Sequence, residues 1–464
     1  MADIEKYFLE DTIAAVSTPP GQGGIGIIRL SGPLSIGIAD RIFRGKKGLK
    51  LVDAPGYTMH YGRVYDANTV VDEVLISIMR RPFTYTREDI IEINCHGGPA
   101  CLSRVLDLVL KNSARLALPG EFTKRAFLNG RIDLIQAEAV CDIIASSTRQ
   151  GLDIAQRQLG GEASSKIRSA GQFILDAAAC LEADVNFPEE EIPASSFDSA
   201  ACFLKNAEVI LSELINASGK GVIFREGACC VICGIPNAGK SSLMNCLLGH
   251  DRVIVTDAAG TTRDSIEETL NIAGIPLRII DTAGITESDD KIMRAGIERS
   301  KRCIDGADII LLVIDRSRPL SYEDICLIER VKKKKVIVVL SKSDLPPALS
   351  PEDCIRYLDK EAVLEVSVKD KTGLDRLEDA VYKALLGSEI SVENIFLSNS
   401  RHIECAKKAL DFIVSAKRGF DEKRPADIIL IDIKDAAGSL TSITGEVFTD
   451  GTLERIFGRF CVGK

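Results

Sequence analysis

The apolar positions of this chain change period along its length. Short runs of mixed or alternating polarity predict strands at Asp11–Val16, Ile25–Leu30, Tyr57–Tyr65, Val70–Met79 and Ile90–Asn94. Helical spacing predicts a helix opened by Ser31-Gly-Pro-Leu34 and running to about Phe43, and another over Pro99–Lys111 with Leu102, Val105, Leu106 and Val109 on one face. Ser17–Gly24, with its Pro-Pro and Gly-Gly pairs, reads as loop punctuation. From Asp133 to about Gly160, from Ala163 to Val185 and from Phe197 to Ile215 the spacing is helical, with Ile135, Ala139 and Ile143 on one face, and Thr123 reads as a helix cap after the Pro119-Gly turn. The acidic Phe187–Glu191 breaks this pattern as a solvated loop. Apolar runs at 229–233, 276–280, 336–340 and 363–366 then read as buried strands, the four-lysine run 332–335 as a solvated connection, and helical patterning resumes at Ser398–Ala416 and Pro425–Ala437. The expected organisation is multidomain, α+β and α/β: an N-terminal α+β domain over 1–120, and a helical domain made of 121–226 and 389–464. A Ras-like P-loop G domain with a doubly wound sheet is inserted into it at 227–388.

Composition narrows the function classes. The chain of 464 residues is 45% hydrophobic, enough for several cores, and its net charge is −9. No global field attracts nucleic acid, so an RNA contact must be local or made through a partner. No apolar run reaches about 18 residues and no leader precedes the first strand, so a soluble, cytoplasmic protein with no membrane contact is expected. The fourteen cysteines are scattered, mostly on apolar faces, as in a reducing compartment. Cys229, Cys230 and Cys233 have CxxC-like spacing but no second ligand pair, and read as strand residues.

The chemistry is concentrated after the run Cys229–Cys233. Gly234-Ile-Pro-Asn-Ala-Gly-Lys-Ser241 matches G-x-x-x-x-G-K-[ST], a P-loop between a strand and a helix. Its glycines let backbone N–H groups turn around a phosphate, as Asn237, Ala238 and Gly239 would. Lys240 faces the β- and γ-phosphates, Ser241 can ligate Mg²⁺, and the helix begun by Ser241 and Ser242 points its positive end at the anion. Asp281-Thr282-Ala283-Gly284 resembles DxxG. Ser341-Lys342-Ser343-Asp344 resembles the guanine-reading N/TKxD element, with Asp344 accepting from guanine N1–H and N2–H, and Ser367-Val368-Lys369 resembles the loop over the base. Four elements in this order select GTP over ATP. Val255–Asp264 reads as switch I, with Thr262 closing on Mg²⁺ and the γ-phosphate. Ser341 stands where Asn is usual; a hydroxyl reaches less far, so GTP should remain preferred, with weaker affinity.

The whole chain resembles the MnmE (TrmE) family of GTPases that modify the wobble uridine of tRNA. The resemblance rests on Thr18–Gly24 with Arg29, His96-Gly-Gly98, Pro119–Asn129, Gln136-Ala-Glu-Ala139, the P-loop with Asn237, Ala259–Asp264, Gly296-Ile-Glu-Arg299 and the tail Phe460-Cys-Val-Gly-Lys464. The tail is FCIGK in the family, so Val462 is a mild departure. The resemblance implies an N-terminal domain that dimerises and binds a tetrahydrofolate derivative (5,10-methylene- or 5-formyl-) through Arg29, Glu92, Arg131 and Lys464. Arg131 stands where the family usually has Lys. It implies that Cys461 is needed for tRNA modification. It implies that K⁺, held by Asn237, Thr256, Ala258 and Thr261, offsets transition-state charge in place of an arginine; Arg263 as an arginine finger is the weaker reading. It implies a homodimer, with paired G domains, that forms a heterotetramer with an FAD-dependent MnmG (GidA)-type partner, together placing an aminomethyl or carboxymethylaminomethyl group on C5 of the uridine. A glutamate that orients the attacking water in the family falls here on Met293, which cannot do so. Asp289, one helical turn away on the same face, is the candidate substitute. Two alternatives carry less of the sequence: an Era-like regulatory GTPase of ribosome assembly, and a folate-binding protein with a vestigial GTPase.

Overall fold

A computed structural model describes residues 11–45, 48–186, 195–250, 268–281, 303–357, 362–387 and 395–464. The chain divides into two compact units, Met1–Cys141 with Lys434–Lys464, and Asp142–Ile433.

The first unit is built on a seven-stranded sheet ordered β3-β4-β5-β6-β2-β1-β7. Its strands are β1 Ile13–Val16, β2 Gly23–Ser31, β3 Phe43–Gly45, β4 Thr58–Asp66, β5 Thr69–Met79, β6 Ile90–Gly97 and β7 Arg115–Leu116. Helices α1 Ser35–Ile42 and α2 Pro99–Lys111 cover one face, where every second residue of the strands is apolar. Ile28 and Leu30 of β2, Ile76 and Ile78 of β5, and Ile91 and Ile93 of β6 meet Leu102, Val105 and Val109 of α2 there. The residues between them lie on the opposite face, and the antiparallel β2–β6 register sets Arg29 beside Glu92. Two further helices, α3 Glu121–Leu128 and α4 Leu134–Ala145, follow the sheet. Thr123 is not a cap. It lies within α3, its hydroxyl paired with Tyr85 Oη at 2.9 Å, and the cap position is Gly120. No side chain caps the helix; the Glu121 carboxylate accepts from the Leu118 amide ahead of it and pairs with Arg115 and Arg125. The helical run expected from Asp133 to Gly160 is two helices, because Thr148 turns its side chain onto the Gly151 amide and starts α5 Arg149–Leu159.

The second unit continues with α6 Glu162–Asn186 and α7 Ser195–Glu226, which outruns its expected end by eleven residues. The acidic break Phe187–Glu191 lies outside the described residues. A six-stranded sheet follows, ordered β13-β12-β11-β8-β10-β9. Its strands are β8 Ala228–Cys233, β9 Glu268–Ile272, β10 Ile275–Asp281, β11 Ile309–Asp315, β12 Val336–Ser341 and β13 Ala362–Glu365, and only β9 runs antiparallel to its neighbour. Both faces are buried, so β11 is apolar at every position before its final Asp315: Ile309, Leu311 and Val313 face one core, Ile310, Leu312 and Ile314 the other. The three β8 cysteines are divided the same way, Cys230 in the first core, Cys233 and the half-buried Cys229 at the second. This is the doubly wound sheet, with α8 Lys240–His250, α9 Tyr322–Val331, α10 Pro351–Ile355 and α11 Leu374–Leu386 around it. Ile154 of α5, Phe224 of α7 and Ile395 join the first of its cores. Helices α12 Ser400–Asp421 and α13 Ala426–Thr444 follow, and α14 Asp450–Phe457 belongs to the first unit. Among the described residues no helix is long and apolar enough to cross a membrane.

Candidate functional sites

In the second unit, the turn after β8 is shaped by its sequence. A side chain at Gly234 would run into the Val313 carbonyl, so only glycine lets the loop leave the sheet there. Ala238 is buried, while Asn237, Ser241 and Ser242 are exposed at the mouth of the loop and the N-terminus of α8. Lys240 is nearly buried, and its ammonium donates to the Ile235 carbonyl at 2.9 Å, across the loop it closes. A cation, a tight glycine-bounded turn and a helix start therefore adjoin, which is the chemistry of a polyphosphate cradle.

The loops after β11, β12 and β13 meet that cradle. The Ser341 hydroxyl reaches the Ala238 carbonyl at 2.6 Å and lies 3.2 Å from the Ile314 carbonyl. The expectation that a hydroxyl falls short does not hold for the P-loop tie, since Ser341, the last residue of β12, reaches the Ala238 carbonyl directly. Lys342 pairs with Asp315 at 2.6 Å. Burial works against the Asp315 charge, but hydrogen bonds from Lys342 and Ser317 hold its carboxyl below the usual range. Asp344 Oδ1 accepts from Ser367 Oγ at 3.0 Å, and the Asp370 amide donates to the same hydroxyl at 3.1 Å, so the two base-loop elements are locked together. Lys369 is exposed beside them. Asp315 was missed by the sequence reading; the signal was an apolar run ending in a carboxylate. Asp281 closes β10. Thr256, Ala258, Thr261, Thr262, Thr282, Ala283, Gly284, Asp289 and Met293 lie outside the described residues.

In the first unit the four expected folate contacts and the tail cysteine converge, although they are spread from position 29 to 464. Arg29 Nη2 lies 2.7 Å from Glu92 Oε1, with 19% and 22% of the two side chains exposed. Arg29 Nη1 also donates to the Gly463 carbonyl at 3.2 Å, and Ser17 Oγ donates to the same oxygen at 3.1 Å. Gly463 has φ +93°, and a Cβ there would strike the Val16 carbonyl. Phe460, buried among Phe457, Ala126 and Leu134, anchors the segment, and the Gly120 amide donates to the Cys461 carbonyl at 3.4 Å. The Cys461 side chain remains exposed. Burial, with Arg29 next, pushes the Lys464 ammonium down, while Glu92 and Cys461 oppose the shift. The Arg131 guanidinium stacks over the Tyr85 ring at 4.7 Å, and Arg29 lies over Phe122 at 5.8 Å. Burial raises the Tyr85 phenol against the pull of Thr123, Arg131 and Arg29. Tyr85 and Phe122 escaped the sequence reading because nothing local distinguishes them from core aromatics. The arrangement offers three cations, one carboxylate already paired, the half-buried Tyr85 ring and a thiol: the groups needed to hold a planar, anionic ligand beside a nucleophile.

Comparison with known proteins gives matches along nearly the whole chain. Residues 12–131 match the family described as GTP-binding protein TrmE N-terminus, and residues 134–461 match the MnmE helical domain. Proteins named tRNA modification GTPase MnmE align from end to end. That of Alkaliphilus oremlandii is 42% identical over 98% of this chain and 100% of its own. That of Geobacillus kaustophilus is 44% identical over 98% and 99%, and that of Clostridioides difficile 41% identical over 98% and 100%.

Proposed function

Because the chain belongs to the MnmE family of tRNA modification GTPases, it is a GTP-hydrolysing enzyme, and we propose that it couples hydrolysis to C5 modification of a wobble uridine at the tail-filled site of its first unit. The family membership displaces the Era-like alternative. In this reading Lys240, the amides of Asn237, Ala238 and Gly239 and the start of α8 hold the GTP phosphates. Ser241, with Thr262 and Asp281, holds Mg²⁺. Asn237, with Thr256, Ala258 and Thr261, holds K⁺, which supplies positive charge where the transition state develops negative charge. Asp344, kept in place by Ser367, selects guanine.

Arg29, Glu92, Arg131 and Lys464 would take a tetrahydrofolate derivative as one-carbon donor. The mixed set fits that ligand: a carboxylate to pair a pterin donor edge, cations for the glutamate tail, and the half-buried Tyr85 beside Arg131. Cys461 is exposed beside this set and is the residue proposed to act on the tRNA. An FAD-dependent MnmG-type partner, in a heterotetramer with a homodimer of this chain in the cytoplasm, would supply the redox step.

The observation that carries the reading is the capture of the Gly463 carbonyl by Arg29 and Ser17, which brings Cys461 and Lys464 to the Arg29–Glu92 pair. The test is mass spectrometry of tRNA nucleosides from a strain lacking the protein, complemented with wild type or Cys461→Ser. Loss of the C5-modified wobble uridine, restored only by wild type, is expected. Unchanged nucleosides in the deletion strain would overturn the reading.

A further inference from the structure

We propose that the G site does not read guanine N7, and that Ser341 is the residue that gives up this contact. The inference rests on the assignment of Asp344 as the guanine acceptor. An asparagine in the first position of N/TKxD carries two amide hydrogens, one for the P-loop carbonyl and one for N7. Serine carries a single hydrogen. Ser341 is 5% exposed, and its Oγ has two protein neighbours, the Ala238 carbonyl at 2.6 Å and the Ile314 carbonyl at 3.2 Å. Both are acceptors, so the one O–H is committed to a carbonyl whichever it chooses. What the hydroxyl presents elsewhere is lone pairs, and N7 is itself a lone pair; two acceptors do not bond.

The neighbouring Ser367 hydroxyl is committed as well, and the Lys342 ammonium is drawn onto a carboxylate. Ser367 Oγ donates to Asp344 and accepts from the Asp370 amide, and the Lys342 ammonium is held on Asp315 at 2.6 Å. The substitution therefore divides the two duties of the asparagine. The tie between base loop and P-loop is retained, since Ala238 is reached at full hydrogen-bond strength, and the base contact is dropped. Selection of guanine falls on Asp344 alone, through N1–H and N2–H, a pair that adenine lacks but 7-deazaguanine keeps.

The experiment compares affinities of the full-length protein for GTP, 7-deaza-GTP and ATP by calorimetry, without following turnover. Wild type is expected to bind GTP and 7-deaza-GTP within about 2-fold of each other. Ser341→Asn restores the second hydrogen and should favour GTP over 7-deaza-GTP by ~3- to 10-fold, the range of one neutral hydrogen bond. Ser341→Ala removes only the tie and should weaken both nucleotides in parallel. A wild-type preference of ~10-fold for GTP over 7-deaza-GTP would overturn the proposal, and does so even where Ser341→Asn fails to fold. GTP binding no tighter than ATP would instead overturn the Asp344 assignment beneath it.

Discussion

Gly463 is the hinge on which the folate-site reading turns, and Gly463→Ala tests it with one methyl group. The backbone there has φ +93°, and the added carbon would overlap the Val16 carbonyl while lying 3.0 Å from Ser17 Cα. An L-residue in this region costs about 1–2 kcal/mol before the overlap is counted, and the obstacle is backbone, which no rotamer change relieves. Against this stand the two hydrogen bonds to the Gly463 carbonyl, about 0.5–1.5 kcal/mol for the Ser17 hydroxyl and about 1.5–3 for the Arg29 guanidinium. Both require the strained position, so the segment after Phe460 should lift away while Phe460 stays in its core. A net shift of about 2 kcal/mol lowers the docking equilibrium constant by ~30-fold. Hydrogen exchange at the Gly120 amide, which donates to the Cys461 carbonyl, reads this directly. Exchange there should accelerate by a comparable factor, and C5 modification should be lost while GTP hydrolysis persists. Val462→Ala, at an exposed position, is the control. Unchanged protection and full modification in Gly463→Ala would mean that the docked tail is not the functional state.

Other measurements reach the remaining parts. Glu92→Ala should weaken folate binding by ~10-fold or more, since it removes the pterin acceptor and leaves Arg29 without its carboxylate partner; Glu92→Gln should lose less, and an unchanged dissociation constant would remove Glu92 from the site. Met293→Glu should raise single-turnover GTP hydrolysis by ~10²-fold in KCl but little in NaCl, whereas fast wild-type turnover with no gain would assign the water to another group such as Asp289. The Asp315 carboxyl is held below its ordinary value, so its pairing with Lys342 stabilises the base loop at all pH above about 4 and is lost as the pH falls through the lower, folded value; Asp315→Asn should flatten the acid limb of a GDP-binding titration and leave the neutral region weaker but pH-independent.

The sequence made some of this plain and hid the rest for identifiable reasons. Pro99–Lys111 appears at its expected bounds because apolar positions at helical spacing define its length, although Leu108 rather than the half-buried Leu106 completes the buried face. Four strands of the second unit were legible as apolar runs because a sheet buried on both faces needs no alternation, whereas β9 and β11 were not read. Helix α14 left no periodic signal, being only two turns long, although its Thr449 cap on the Thr452 amide was present in the sequence. Thr123 looked like a cap because Thr commonly is one; tertiary pairing with Tyr85 overrode that preference. The docking of the tail was invisible to any local rule, since the Ser17–Gly463 bond joins residues 446 positions apart. Motif resemblance supplied Arg29, Glu92, Arg131 and Lys464 one at a time; the aromatic partners Tyr85 and Phe122 emerged only from their packing.

The first unit is stitched from distant parts of the chain, and this sets an order of events during synthesis. Ala126, Leu134 and Ala137 leave the ribosome early, yet the residues that bury them, Leu453, Ile456, Phe457 and Phe460, follow only after 142–433. In the interval the nascent protein carries an unfinished apolar patch, the kind of surface that recruits chaperones or invites misassociation. The intervening unit eases the closure if it folds first, because a compact body holds its two ends far closer than a loose loop of that length would. Mutations that merely slow folding of residues 142–433 should therefore appear as aggregation driven by residues 121–141, a defect displaced in space from its cause.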